Sequence, residues 1–304
     1  MLSGLMPHRA PAFPFLVVGI GDIHGRFSRL REWCEELSRV HAVPVSLGLS
    51  VGDVEAFRDA GDLRRKATKR SMPAEFADFA DGTSRLPFPL AFIGGNNEDF
   101  EALAPIPKGA EIAPGISYLG RSGSRRLMGL KVAYLSGIYA PRFFDAPLAP
   151  PLDAATRKHA GYYRHNEVEA LRRVRNVDFL VVHEWPRGLA PNAGPEGPSP
   201  WMGSPVTRRL VHTMRPRWVL CGHGHRPWAA QLDGRDGQVT RVVCLGELES
   251  PEQALVWFYV EGGRVRRVGV GFSTEGVWEE GQRWDVSCFP GTAQGQGPIK
   301  AAGQ

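Results

Sequence analysis

The sequence predicts an α+β fold: one domain with a sheet on each side of a shared core and helices outside. Three observations carry this. Short, β-branched apolar runs recur, each ending at a small or polar cluster. Three segments show the spacing of amphipathic helices. Gly (36) and Pro (25) are frequent in 304 residues, which calls for many short elements joined by turns.

The runs PFLVVGI at 14–20, VSLGLSV at 45–51, PLAFIGG at 89–95, FLVVHE at 179–184 and WVLCGH at 218–223 are too short for helices and suit buried strands. Further strands are expected at RVVCLGEL, ALVWFYVE and RVRRVGVG from about 240 onward, with a Gly262–Gly263 turn. A helix over 26–40 places Phe27, Leu30, Cys34 and Leu37 on one stripe. A second, over 165–175, carries Val168, Leu171 and Val174. A third, over 205–214, has Ser204 as N-cap and Pro205 as first residue. Residues 190–203 read as a loop. We expect residues 1–14 to be flexible, 15–272 to form the domain and 273–304 to be a flexible tail.

The composition excludes several classes. Hydrophobic content of 42% is that of a globular chain, so wholesale disorder is ruled out. No apolar run reaches the length of a membrane span, and no signal peptide is read at the N-terminus. Cys34, Cys221, Cys244 and Cys288 have no paired spacing, so neither a disulfide framework nor a Cys-rich zinc site is indicated. A reducing compartment is the default: cytoplasmic, or nuclear in a eukaryotic cell. The net charge of +5 is weak support for a polyanionic partner.

The strand ends hold the chemistry. After the first run comes Gly21-Asp22-Ile23-His24-Gly25; after the second, Gly52-Asp53; after the third, Gly95-Asn96-Asn97-Glu98. His183 closes the fourth, and Gly222-His223-Gly224-His225 the fifth. Carboxylate, amide oxygen and imidazole without thiolate suit manganese, iron, zinc or magnesium. Seven candidate ligands are too many for one ion and about right for two that share a carboxylate. Taken singly, a His such as His183 is more often a buried, hydrogen-bonded side chain, and a lone Gly-Asp is more often a turn. Five such motifs in order, each after an apolar run, favour a joint site.

The order D-x-H, GD, GN, H, GHxH resembles that of the calcineurin-like metallophosphoesterases. The segments GDVEAFRDAGDLRRKATKRSMP at 52–73, AFIGGNNED at 91–99, APGISYLG at 113–120, LSGIYAPRFF at 135–144, VVHEWPRGL at 181–189 and GSPVTRRLVHTMRPRWVLCGHGH at 203–225 resemble the RNA lariat debranching enzymes. The resemblance spans roughly 15–260, and "SGIY" and "HEWPR" are its most specific parts. It implies a four-layer αββα sandwich, the metallophosphoesterase fold. It further implies two divalent ions (Mn, Fe or Zn) and hydrolysis of 2′,5′-phosphodiesters in branched RNA by a metal-bridging hydroxide. One ion would be held by Asp22, His24, Asp53 and His225, the other by Asp53, Asn96, His183 and His223. Catalytic roles would fall to Asp53, His183 and position 97. The family's lariat-recognition loop corresponds to about 137–165, whose Tyr139, Arg142, Tyr162, Tyr163 and Arg164 are candidate substrate contacts.

Two departures stand out. Debranching enzymes commonly carry Cys where this chain has Asp22, which predicts a fuller dinuclear site here. The family motif G-N-H-E reads Gly95-Asn96-Asn97-Glu98. Asn97 cannot supply a proton at neutral pH. Three accounts stay open: another acid serves, the protein binds RNA with little turnover, or Asn97 is an introduced trap. A metallophosphoesterase acting on linear nucleic acid or nucleotides is the alternative enzyme.

Basic segments at 58–70, 121–131 and 157–175 complete the picture, the last beside Tyr139, Phe143, Phe144, Tyr162 and Tyr163. Cations beside flat rings fit unpaired RNA, and solvated surface is the plain alternative.

Overall fold

The computed structural model describes residues 9–64, 73, 75–147, 156–190, 202–234, 237–282, 284–291 and 299–300. In chain order its strands are β1 Phe15–Ile20, β2 Val45–Ser50, β3 Leu90–Phe92, β4 Ala110–Ala113, β5 Ile116–Tyr118, β6 Ser122–Leu127, β7 Leu130–Leu135 and β8 Phe179–Glu184. They continue with β9 Trp218–Gly222, β10 Trp228–Asp233, β11 Val239–Cys244, β12 Leu255–Glu261, β13 Arg264–Val270, β14 Trp278–Glu279 and β15 Ile299–Lys300. The helices are α1 Phe27–His41, α2 Ala60–Arg64, α3 Phe76–Ala80, α4 Phe100–Leu103, α5 Pro141–Phe144, α6 His165–Leu171, α7 Pro205–Met214 and α8 Pro251–Ala254.

Two mixed sheets form, ordered β14-β13-β12-β1-β2-β3-β5-β4 and β15-β10-β11-β9-β8-β7-β6. Strand β1 shows why they stack. Its residues are all buried, and they alternate in direction. Phe15 and Val17 join the core between the sheets, with Val132, Val181 and Leu220 of the opposite sheet. Leu16, Val18 and Ile20 face outward onto Phe27, Leu30, Cys34 and Leu37, the stripe of α1. On the far side, Leu180 and Val219 pack under Val168 of α6 and Leu210 of α7. Three apolar interfaces therefore separate four layers, the αββα arrangement.

Helix α7 follows its sequence signals: the Ser204 hydroxyl accepts from the Val206 and Thr207 amides, and Pro205 occupies the first turn. The helix expected over 165–175 stops at Leu171. The Arg172 and Val174 amides bond back only three residues, to Glu169 and Leu171, and the tightened turn lets the chain enter β8. The strand expected over 89–95 ends at Phe92, because Gly94 bonds to Ser136 and Gly137 while Gly95 is drawn into the loop beside Asp53. The strands over 110–135 had no sequence signal of their own; β6 buries one residue, Leu127, as an edge strand. The packed unit extends beyond residue 272, the expected end of the domain. Trp278, Trp284 and Phe289 lie past it and are buried in the central core. Most of the 190–203 loop, part of the 58–70 segment and part of the 137–165 stretch lie outside the described residues.

Candidate metal centre

All five sequence motifs meet at one end of the sheets, where the parallel strands β1, β2, β3, β8 and β9 finish. Asp22, His24, Asp53 and His183 are buried there. His24, Asp53, His223 and His225 all have positive φ, between 46° and 72°. Left-handed backbone at four non-glycine residues costs free energy, and it persists where a site needs side chains aimed inward. Close approach also requires glycine: a Cβ on Gly95 would lie 2.0 Å from Asp53 Oδ1, and one on Gly222 would lie 2.5 Å from Asp22 Oδ1.

Asp22, His24, Asp53 and His225 each bring one ligand atom to within 4.8 Å of the others. His24 Nε2 faces His225 Nε2 at 3.2 Å. Asp22 Oδ2 is buried 3.1 Å from His225 Nε2, and it accepts no hydrogen bond. Two opposed imidazole nitrogens and an unsatisfied carboxylate oxygen form a donor set that a divalent cation would complete. The residues thus fit a metal.

A second set flanks the first across Asp53. His183 Nε2 lies 3.0 Å from Asn96 Oδ1 and 3.4 Å from Asp53 Oδ1. The His183 ring is fixed from behind by Nδ1, 2.9 Å from the Val51 carbonyl. His223 joins this set loosely: its ring centre is 5.0 Å from that of His183. Asn97, expected at the catalytic position, is turned onto Asp53; its backbone N–H donates to Oδ1 and its Nδ2 to Oδ2, both at 2.8 Å.

The electrostatics follow from burial and charge. Burial opposes the charge on His24, yet its hydrogen bond to Glu55 and the nearby Asp53 and Asp22 hold it above the ordinary histidine range. His225 is raised chiefly by Asp22. Burial, then His183, pulls His223 down to about 4, so its ring is neutral. Burial works against the Asp22 charge, but His225, His183 and His24 together keep its carboxyl below the ordinary value. Burial and the Asp53 charge push Glu98 well up, against the pull of its backbone donors.

Sequence reasoning missed a supporting ring of carboxylates. Glu55 Oε1 lies 2.8 Å from His24 Nδ1. Glu247 Oε1 lies 3.4 Å from His225 Nδ1 and its other oxygen accepts from Arg26. Glu184 accepts the Tyr139 amide at 2.8 Å. Glu247 was findable, since Cys244-Leu245-Gly246-Glu247 repeats the apolar-run, Gly, acid pattern of the other motifs. Glu98, by contrast, was legible in the Gly95–Glu98 motif as a supporting residue; it accepts from the Val54, Glu55 and Gly95 amides and ties the two loops of the site together.

The expected substrate contacts divide. Arg142 is exposed, and Tyr139 and Tyr162 are half-buried. Phe143 stacks on Tyr162 with ring centres 5.2 Å apart, and the Arg142 and Arg164 guanidiniums lie over it at 5.5 and 5.6 Å. Tyr163 and Arg164 correct the expectation. Tyr163 is buried with its hydroxyl 2.5 Å from Ser204 Oγ, and Arg164 is spent on the Phe143 and His159 carbonyls. Both hold the loop together rather than face a ligand. Arg121, counted with a basic surface segment, is likewise internal: it pairs with Glu167 and donates to the Ala160 and Tyr162 carbonyls.

A four-layer sandwich with an Asp/His cluster at its strand ends defines a metallohydrolase-type scaffold. The chain belongs to the calcineurin-like phosphoesterase family, whose sequence model matches residues 15–227. Similar curated proteins are named lariat debranching enzyme. That of Danio rerio is 29% identical over 70% of this chain and 40% of its own length. That of Gallus gallus is 30% identical over 69% of this chain and 42% of its own. That of Saccharomyces cerevisiae is 27% identical over 70% and 57%. The chain thus spans about half the length of these relatives.

Proposed function

We propose that this protein is a metal-dependent phosphodiesterase that holds two divalent ions and cleaves 2′,5′-phosphodiester bonds in branched RNA. The observation that carries the chemistry is the convergence of Asp22, His24, Asp53 and His225 within 4.8 Å, with His183 and Asn96 on the other side of Asp53. The similar proteins named lariat debranching enzyme favour branched RNA, as do the stacked Phe143 and Tyr162 with Arg142 beside them. Manganese, iron and zinc all suit the donor set.

When bound, such ions lower the pKa of water and offset charge on phosphoryl oxygens. The chain's own residues do the rest. Asp53 stands between both donor sets. Glu55 and Val51 fix the rings of His24 and His183 from behind, so each presents Nε2 to the centre. His223 is neutral and ready to ligate at neutral pH. Asn97 orients Asp53 through two hydrogen bonds and has no proton to give.

That orientation of Asn97 favours a second reading, an RNA-binding protein with little turnover. The same donor set would also serve a phosphoesterase for linear nucleic acid or nucleotides. One panel separates them: branched RNA, linear RNA, single-stranded DNA and an aryl phosphodiester, each with the manganese-loaded protein. Preferential cleavage of branched RNA supports the proposal; cleavage of the aryl ester alone leaves a general phosphodiesterase; binding without cleavage leaves the RNA-binding reading.

A further inference from the structure

We propose that the chain carries a second nucleic-acid site remote from the metal centre: a basic trough over α6 and α7 that takes the single-stranded RNA backbone leading away from the scissile bond. The identity of the strand rests on the proposed function; the trough itself does not.

Two cavities adjoin on this face. One, of about 790 Å³, is lined by Arg172 of α6's end and by Arg209, His212 and Arg215 along α7 and its cap. The other, of about 1050 Å³, is lined by Arg175, Arg217 and Arg241 together with the same His212 and Arg215. The two share His212, Thr213, Arg215 and Gln238, and we read them together as one trough. It begins at Phe144 and His165, beside the loop that carries Tyr162, and ends where β8, β9 and β11 start. His183 lies four residues along β8 from Phe179, so the far end is roughly 13 Å from the centre at the rise of an extended strand. That is a different surface from the one holding the candidate ligands.

The charge on this face is unbalanced in a useful way. Four carboxylates also line it: Glu169 pairs with Arg172 and His165, Asp178 with Arg217 and the Lys131 amide, Glu280 with Arg266, and Asp233 accepts from the Gln231 amide. Six arginines line the trough, and Arg172, Arg209, Arg215 and Arg217 are exposed. Such guanidiniums offer donors for phosphate oxygens without first leaving a buried site. At the entrance Phe144 and His165 stack with centres 5.3 Å apart, and the exposed His165 ring presents a flat face. Cations for phosphates and a ring for a base are the combination a single strand uses. An acidic peptide would use the cations alone.

The test compares linear single-stranded RNAs of about 4 and about 16 nucleotides, the span of common single-strand sites. Binding to the manganese-loaded protein is read by fluorescence anisotropy across a salt series, for wild type, R172E/R209E and R172K/R209K. We expect the long RNA to bind at least about tenfold tighter than the short one. The double charge reversal should remove that advantage and lower the salt slope by about 1.4, the share of two phosphates on a single strand. Its melting temperature, manganese content and affinity for the short RNA should not change, and the lysine pair should keep the length advantage. Loss of the length effect supports the trough whether or not branched RNA is cleaved, so failure of the debranching activity is read separately. A length advantage retained in R172E/R209E would overturn the proposal. So would a poly-glutamate peptide that matches the long RNA in affinity.

Discussion

Asn97 grips Asp53 with two donors, its backbone N–H on one carboxylate oxygen and its side-chain amide on the other, each at 2.8 Å. Asn97, expected at the catalytic position, is therefore engaged with the carboxylate standing between the two donor sets.

Asn97→Ala should remove one of those bonds and lower manganese affinity by about tenfold, the low end of the effect of losing an outer-shell partner. Asn97→His should keep metal content and raise single-turnover cleavage of a 2′,5′-linked phosphodiester by on the order of 10², the scale of a general acid. Metal titration and quench-flow assays check the pair. An unchanged rate in Asn97→His would mean that the acid lies elsewhere.

Asp53→Ala should empty both proposed sites, because both donor sets include this carboxylate, whereas His225→Ala should weaken only the set around Asp22. Metal analysis after reconstitution with manganese distinguishes them. Two ions retained in Asp53→Ala would contradict a shared carboxylate.

Metal binding should release protons in a defined window. His24 and His225 are held above their ordinary value of 6.5, so the metal-free protein still carries protons on them just above pH 6.5. Their contribution to metal-free stability is full below that value and is lost as pH rises through the raised values. A cation must displace these protons, so affinity should rise with pH across the same window. His223, pulled down to about 4, should contribute nothing there. Calorimetry in buffers of different ionisation enthalpy should find up to about one proton, shared between the facing Nε2 atoms, released per ion near pH 6.5, falling toward zero in alkali. No release anywhere in the window would refute the charge states.

Gly95→Ala should abolish metal binding with little change in secondary structure, since the new methyl would lie 2.0 Å from Asp53 Oδ1. Circular dichroism and manganese titration together separate this local effect from unfolding.

Arg121→Leu should cost about 3–5 kcal/mol in denaturant melts, the scale for leaving one partner of a buried ion pair uncompensated. The residue is buried, pairs with Glu167 at 2.8 Å, and donates to the Ala160 and Tyr162 carbonyls. Hydrogen exchange at Gly161–Tyr163 should accelerate more than exchange in β1.

What the sequence determined by itself is whatever repeats locally. The alternation in Phe15–Ile20, the stripe Phe27, Leu30, Cys34 and Leu37, and the Ser204–Pro205 cap are short-range patterns, and the structure follows them. The strand-end motifs are local too, because a Gly beside a polar ligand is needed wherever the chain must turn sharply at a crowded centre. The pairing of distant residues was decided by tertiary structure. Glu55 behind His24, Glu247 behind His225 and Asn97 on Asp53 are separated by 22 residues or more, and no periodicity links them. The same holds for β6, whose weak apolar content is tolerated because β7 supplies its ladder. It holds for Trp278 and Trp284, which enter the core only because β13 and Trp218 are there to receive them. Burial also reversed the meaning of some residues. Tyr163, Arg164 and Arg121 look like surface ligands in one dimension, but desolvation commits their polar groups to Ser204, to backbone carbonyls and to Glu167. A sequence specifies which groups are available to bond; only packing decides which are removed from water and must find a partner inside.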